Sequence, residues 1–311
     1  MTIFTQTLTQ TLLLLTFVAT GYILAKTKAV GQDSVAVLSK LENWLFMPAL
    51  VMGTFIEKFN ISTISKTWKI LLAGFAVELA IIPIAAVICR LILKNDEYLR
   101  KISAYGLVIP NFGFVGNPVM LALFPAIFFE YLIFTLPFWV VQQLWAVPRY
   151  LIPNQSGKKG LSATLKNLVN PMFGGMLIGM VVGMLQLPVP SFLTNAIKVS
   201  GDCMSPVAML LTGITVSTID LKKTFADVKI YLLSVVRLLA LPLCFAAVLR
   251  FAGADRTTFI CAVCALAMPL GTNNIIVPSA YGLDTSHAAG MAIISHIMCC
   301  VTIPLVFMLT L

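Results

Sequence analysis

Long apolar runs separated by short polar connections organise this chain. Ten runs are drawn, over residues 4–25, 36–56, 68–93, 102–123, 127–147, 168–187, 193–217, 229–251, 257–282 and 287–310. Each is about 20 residues or a little longer, enough for a helix to cross a hydrocarbon core of about 30 Å. Two runs are interrupted. The fourth carries Pro110 and then Asn-Phe-Gly-Phe-Val-Gly-Asn-Pro over 111–118. The ninth carries Met268-Pro269-Leu270-Gly271-Thr272-Asn273-Asn274, with Pro278 further on. Proline removes an amide donor and clashes with the carbonyl one turn back, so Pro110, Pro118, Pro269 and Pro278 predict broken helices. Asn117-Pro118 reads as the start of a new helix, with Asn as N-cap and Pro in the first helical position.

A break inside the membrane is costly, because unpaired backbone groups in hydrocarbon lose several kcal/mol each, roughly. It survives where it is buried in protein or lines a wet cavity. Each break also leaves a half-helix N-terminus, with its partial positive charge, near the midplane. Two such ends together form an anion site without a buried Lys or Arg. Asn side chains suit it, since they donate and accept hydrogen bonds.

The two halves of the chain match at a nearly constant offset. Gly21 and Pro48 pair with Gly179 and Pro206, Pro83 and Pro110 with Pro242 and Pro269, and Pro118 with Pro278, at offsets of 158 to 160. Four of the eight first-half prolines find partners in that window, where random placement gives roughly one. Residues 1–147 are therefore read as one five-helix repeat, 148–167 as a linker, and 168–311 as a second repeat. Five is odd, so the second repeat enters the membrane from the opposite side, the inverted plan of many secondary transporters.

Composition and charge sharpen the class. The chain is 59% hydrophobic and 11% charged, against roughly 45–50% and about 25% in soluble domains. That defines an all-α polytopic membrane protein. The N-terminal run lacks a preceding Lys or Arg, so it is read as a retained span rather than a signal peptide. With the N-terminus outside, 14 of the 21 Lys and Arg residues fall on one side, 6 on the other, and Arg237 inside a span. The basic side is the cytoplasmic one. Both termini are thus expected outside and the linker in the cytoplasm. The net charge of +9 is a topology signal and calls for no nucleic acid. The seven cysteines lie in apolar runs, and Cys261-x-x-Cys264 lacks a second pair or a His, so packing is expected and no metal or cofactor.

Ionisable residues inside spans mark function or pairing. Glu78 and Arg237 are 159 apart, each five residues before a matched proline, and are expected to pair, for structure or for coupling. Asp202 either pairs with Lys198 one turn earlier or serves as a coupling carboxylate. His296 either titrates near neutral pH or is a hydrogen-bonded packing residue. His287 is expected to meet water. An enzyme needs a nucleophile with a base, a carboxylate pair or a metal cluster. No such set is found, and adjacent Ser295 and His296 point about 100° apart on a helix.

At the two breaks the sequence resembles the auxin efflux carrier family, within the bile-acid-symporter-like group. Asn111, Gly113, Phe114, Gly116 and Pro118 match the fourth-span pattern, and Met268, Pro269, Thr272 and Asn273 the ninth-span one. Asn170-Pro171, Ser205 to Ala208 with Gly213, and Tyr281-Gly282 with Asp284 also fit, so the resemblance covers nearly the whole chain. Asn117, where an apolar residue is usual, and His296, where Thr is common, depart from the pattern. The resemblance implies ten helices in two inverted repeats, with helices four and nine crossing. It implies a scaffold of helices 1, 2, 6 and 7 and a transport domain of helices 3, 4, 5, 8, 9 and 10. It implies carriage of small organic anions, such as auxin, malate or malonate, by alternating access. Substrate binding is then expected at Asn111, Gly113, Gly116, Asn117, Pro118, Thr272, Asn273 and Asn274. Expected partners are the anion, the lipid bilayer of a prokaryotic cytoplasmic membrane and a second copy docked through the scaffold. Protons or sodium are the coupling ions considered. A ligand sensor or a channel on the same scaffold is the alternative.

Overall fold

The computed structural model describes residues 3–31, 33–94, 96–152, 170–217, 227–271 and 273–311. Helices dominate, and no strand occurs among the described residues. Seven helical stretches are long and apolar enough to cross a membrane: Phe4–Lys26, Asp33–Lys58, Ile61–Ile92, Pro125–Leu151, Ser191–Val216, Val228–Phe251 and Ser286–Thr310. Shorter apolar helices, Phe112–Leu123, Pro171–Leu185 and Arg256–Leu266, lie within the fourth, sixth and ninth runs. The fold is that of a polytopic all-α membrane protein. The helices are α1 (Ile3–Lys26), α2 (Asp33–Leu41), α3 (Met47–Lys58), α4 (Ile61–Ile92), α5 (Glu97–Val108), α6 (Asn117–Leu123) and α7 (Phe128–Val141). They continue as α8 (Pro171–Leu185), α9 (Ser191–Asp202), α10 (Met204–Val216), α11 (Val228–Val235), α12 (Leu241–Phe251), α13 (Arg256–Leu266), α14 (Asn273–Ala280) and α15 (Ser286–Thr310).

The chain divides into two compact units, each drawing on both halves of the sequence. One holds residues 13–70 and 161–218, and the other residues 1–12, 71–160 and 219–311. In the first, α8 packs on α3 through glycine. Cβ atoms added at Gly175 and Gly179 would sit 2.8 Å from the Pro48 carbonyl oxygen and 2.7 Å from that of Met52. Gly183 meets the Phe55 carbonyl in the same way. A small residue every fourth position lets two backbones touch, the device by which membrane helices associate without a hydrophobic drive. The contacts advance together along both helices, so α3 and α8 run in the same direction.

The same unit hides a further carboxyl group inside an apolar run. Glu42 opens a π-helical turn, Glu42–Phe46, between α2 and α3. It is fully buried, and neither carboxyl oxygen has a hydrogen-bond partner among the described residues. An unpaired buried carboxyl opposes folding. Glu42→Gln is therefore expected to raise the apparent melting temperature of the purified protein by about 2–4 °C, roughly the shift for 1 kcal/mol in a chain of this order of size. An unchanged or lowered midpoint would assign Glu42 a partner that the amide cannot replace.

The second unit is built around two short helices with matched starts. Asp96 caps α5 by accepting the Leu99 amide at 2.9 Å, and Asp255 caps α13 by accepting that of Thr258 at 3.0 Å. Aspartate at an N-cap satisfies an amide that the helix leaves unpaired. The Asp255 carboxyl feels burial, which pushes upward, but hydrogen bonds from the Thr258 hydroxyl and amide, with those from the Thr257 and Asp255 amides, outweigh this and hold it below the usual range. After α14 the chain turns at Gly282, whose φ of +69° is the left-handed conformation that glycine adopts without strain.

Candidate functional site

The two breaks meet within this second unit. Chain Ile109–Asn111 leaves α5 in non-helical conformation, and chain Met268–Gly271 leaves α13 likewise. Pro110 and Leu270 pair as an isolated antiparallel bridge, and the Asn111 amide donates to the Pro269 carbonyl at 2.8 Å. The Leu270 amide donates to Ser295 Oγ on α15 at 3.3 Å, and that hydroxyl donates to Ala292 O at 2.9 Å. Backbone freed by the prolines is thus satisfied by the other break and by α15, which is what low-dielectric surroundings demand.

Asn111 is the cap of the fourth-span restart. Its side-chain oxygen accepts the Phe114 amide at 3.1 Å, and a π-helical turn, Phe112–Gly116, leads into α6. This corrects the expected start at Asn117-Pro118. The helix restarts five residues earlier, and Asn117 is itself helical, at φ −57° and ψ −49°. The wide turn is the physical reason. In it the Gly116 amide reaches the Asn111 carbonyl at 3.0 Å, five residues back, so the register shifts before the proline arrives. Pro118 then sits at the start of α6, buried with Asn117.

Gly116 lies where no side chain fits. A Cβ there would collide with the Tyr131 hydroxyl and lie 3.3 Å from Met268 Cγ. Tyr131, fully buried on α7, donates that hydroxyl to the Phe112 carbonyl at 2.9 Å. Gly106 is similarly closed by Leu270, with Asn274 Nδ2 3.2 Å from a Cβ placed there. Sequence reasoning missed Tyr131. Its only signal is a polar aromatic in a very apolar run, 19 residues from the carbonyl it holds.

Several buried polar atoms around the crossing lack partners. Asn274 is fully buried, and neither its side-chain oxygen nor its nitrogen is hydrogen-bonded among the described residues. The Tyr105 hydroxyl is fully buried beside Asn273, also without a normal hydrogen bond. Native interiors leave few such groups unpaired, and those that remain mark water, ions or ligands. Glu78 and Arg237 are both fully buried and interact electrostatically. They do not form the direct pair anticipated: no nitrogen–oxygen contact within bonding range joins them, and both carboxyl oxygens are unpaired. Arg237 Nη1 instead donates to the Leu107 carbonyl at 3.1 Å. The reason is local, since Leu107 lies in the last turn of α5, where the break strips carbonyls of their amide partners and concentrates negative partial charge.

Gly113 accepts the Asn117 amide within the π turn, and Asn273 opens α14. Thr272 lies outside the described residues. Pro278 is in the last turn of α14, and its carbonyl takes the Tyr281 amide at 3.0 Å. Asp202 belongs to the other unit, exposed and paired with Lys198 at 2.6 Å, so the helix ion pair accounts for it. His296 joins the crossing, its Nε2 3.4 Å from Asn111 Nδ2. His287 does not face water freely: its side chain is 9% exposed, between Ser103 Oγ at 3.3 Å and the Asp227 carboxylate at 3.4 Å. Cys261 and Cys264 are wholly buried in α13.

Broken helices that cross inside a helical membrane unit define a membrane transport fold, with the crossing as its candidate binding site. The chain belongs to the family described as membrane transport protein, the auxin efflux carrier family, whose pattern matches residues 6–307. No curated protein matches it.

Proposed function

We propose that this protein is a secondary carrier of small organic anions, mono- or dicarboxylates, working by alternating access with the substrate held at the crossing. The observation that carries the proposal is the crossing itself. Two half-helix starts lie beside the Pro110–Leu270 bridge, and the unpaired side-chain atoms of Asn274 and the Tyr105 hydroxyl beside Asn273 are buried around them. Amides and helix N-termini in a dry interior favour a carboxylate.

The residues of the two compact units correspond to the scaffold and transport domain that the family resemblance implies, except that residues 1–12 group with the second unit. The inverted repeat is supported by caps at matched positions, Asp96 and Asp255, 159 residues apart. It is also supported by the shared direction of α3 and α8, the second and sixth helices in this plan. In the proposed topology both termini lie outside and the linker is cytoplasmic.

Asn111→Ala and Asn273→Ala are each expected to lower carboxylate uptake into proteoliposomes at least tenfold, with the protein still folded. A thermal-shift screen of mono- and dicarboxylates supplies the substrate, since a ligand of the native state raises its stability. Saturable flux with counterflow is the expected behaviour. Ohmic current, or binding without flux, would overturn the carrier in favour of a channel or a sensor. Unchanged uptake in both variants would remove the crossing as the site.

A further inference from the structure

The hydrogen bonds at the crossing determine the protonation state of His296. Its Nδ1 lies 2.7 Å from the Ala292 carbonyl, which only accepts, so Nδ1 carries a proton. Asn111 is oriented with equal certainty: its Oδ1 accepts the Phe114 amide, which only donates, so its Nδ2 is the atom facing the ring. The 3.4 Å contact between Asn111 Nδ2 and His296 Nε2 is then a donor meeting a lone pair, and the imidazole is neutral. A proton added to Nε2 turns the contact into two opposed donors. Asn111 cannot rotate to accept without releasing the Phe114 amide, and with it the cap of the fourth-span restart.

We propose that His296 is the proton-coupling site of this carrier, binding a proton at Nε2 when the anion occupies the crossing. The inference rests on the reading of the crossing as the substrate site and adds its coupling ion. In the protonated state Nε2–H turns from Asn111 to a substrate carboxylate. One proton carried with one monocarboxylate leaves no net charge to move through the membrane, whose core strongly disfavours charge. In the empty state, neutral His296 and Asn111 satisfy one another, so the unloaded site also returns uncharged. Among the described residues, the buried ionisable groups on the elements packed most extensively against α15 are Arg237, Tyr105, Cys261 and Cys264. Arg237 is turned to Leu107 O. On α15 itself, the Cys299 and Cys300 thiols donate to the His296 main-chain carbonyl, away from the imidazole, and His287 is engaged by Ser103 and Asp227.

The chain has two histidines, so nitrogen NMR of ¹⁵N-histidine-labelled protein in lipid nanodiscs resolves both, with His287→Gln assigning them. At pH 7.5 the His296 signals are expected to report the neutral Nδ1–H form. Between pH 7.5 and 5 they should become those of imidazolium, at higher pH with malonate bound than without it, with the Phe114 amide signal moving in step. A ring that stays neutral to pH 5, one in the Nε2–H form, or titration with Phe114 unmoved overturns the proposal. The transport arm uses labelled malonate. With the membrane voltage clamped at zero, a gradient of one pH unit, acid outside, is expected to drive accumulation up to about tenfold for one proton carried with each malonate. His296→Gln is expected to lose that drive; accumulation that still follows the pH gradient in His296→Gln refutes His296 as the coupling site. Unaltered malonate flux in Asn111→Ala and Asn273→Ala refutes the crossing as the site instead. If malonate is not carried, the carboxylate reading loses this substrate and the NMR result decides the proton site.

Discussion

Gly116→Ala is expected to reduce transport at least tenfold and to lower the melting point of the protein. The single added methyl group must displace the Tyr131 hydroxyl, which lies against Gly116. Tyr131 is fully buried. Overpacking of this kind costs about 1–3 kcal/mol. Moving the hydroxyl also breaks its 2.9 Å bond to Phe112 O, leaving buried polar groups unpaired at a cost of about 1–3 kcal/mol. The strain falls on the π turn that sets Asn111, so function should suffer beyond stability. The double variant Gly116→Ala, Tyr131→Phe removes the colliding oxygen. It is expected to recover most of the lost melting temperature while still lacking the bond to Phe112. A double variant as unstable as Gly116→Ala would show that the methyl group is resisted by something other than Tyr131. Melting followed by tryptophan fluorescence, alongside proteoliposome uptake, separates the two effects.

Arg237→Met is the second large effect. Glu78 and Arg237 interact without touching, and removing one of two such buried charges leaves the other less compensated, at a cost below the about 3–5 kcal/mol of a broken contact pair. Here Glu78 keeps its buried carboxyl without the Arg237 charge, and Leu107 O loses its 3.1 Å donor. Most of the expressed protein is expected to fail to reach a folded, monodisperse state. Glu78→Gln added to Arg237→Met should restore much of the folded fraction, because the orphan charge is gone. Restoration should remain incomplete, since Leu107 O is still bare. The coupling energy from the four-variant cycle checks this: a value near zero would mean that Glu78 and Arg237 contribute independently. The absence of direct contact between them makes the cycle more informative than the contact distance alone.

Much of this protein was legible in its amino-acid order. Hydrophobic runs of bilayer length, few charges and a skewed Lys and Arg distribution define a polytopic helical membrane protein without reference to packing, because the solvent imposes those lengths. The breaks were legible for a similar reason: proline lacks an amide wherever it sits, so Pro110 and Pro269 interrupt their helices in any context. The repeat offset pointed to Asn111 and to the region of Asn273 and Asn274 as one place. Glu42 was also readable, as a carboxylate inside an apolar run, and deserved the suspicion given to Glu78.

Other features depended on neighbours distant in the chain. The π turn that moved the restart from Asn117 to Phe112 has no local signature, since it is a register choice supported by Asn111 on one side and Tyr131 on the other. Arg237 was expected at Glu78 and was found on the end of α5, because an orphaned carbonyl at a helix terminus competes for a buried donor. Ser295 and His296, which diverge along a helix, were read as unrelated. The fold lets that divergence serve both breaks, with Ser295 on Leu270 and His296 on Asn111. Thus the sequence by itself determined the membrane class, the places where helices must break and the residue types available there. Only the tertiary structure decided which orphaned groups satisfy one another, because a hydrogen bond across the crossing depends on atoms brought within about 3 Å from positions up to 185 residues apart.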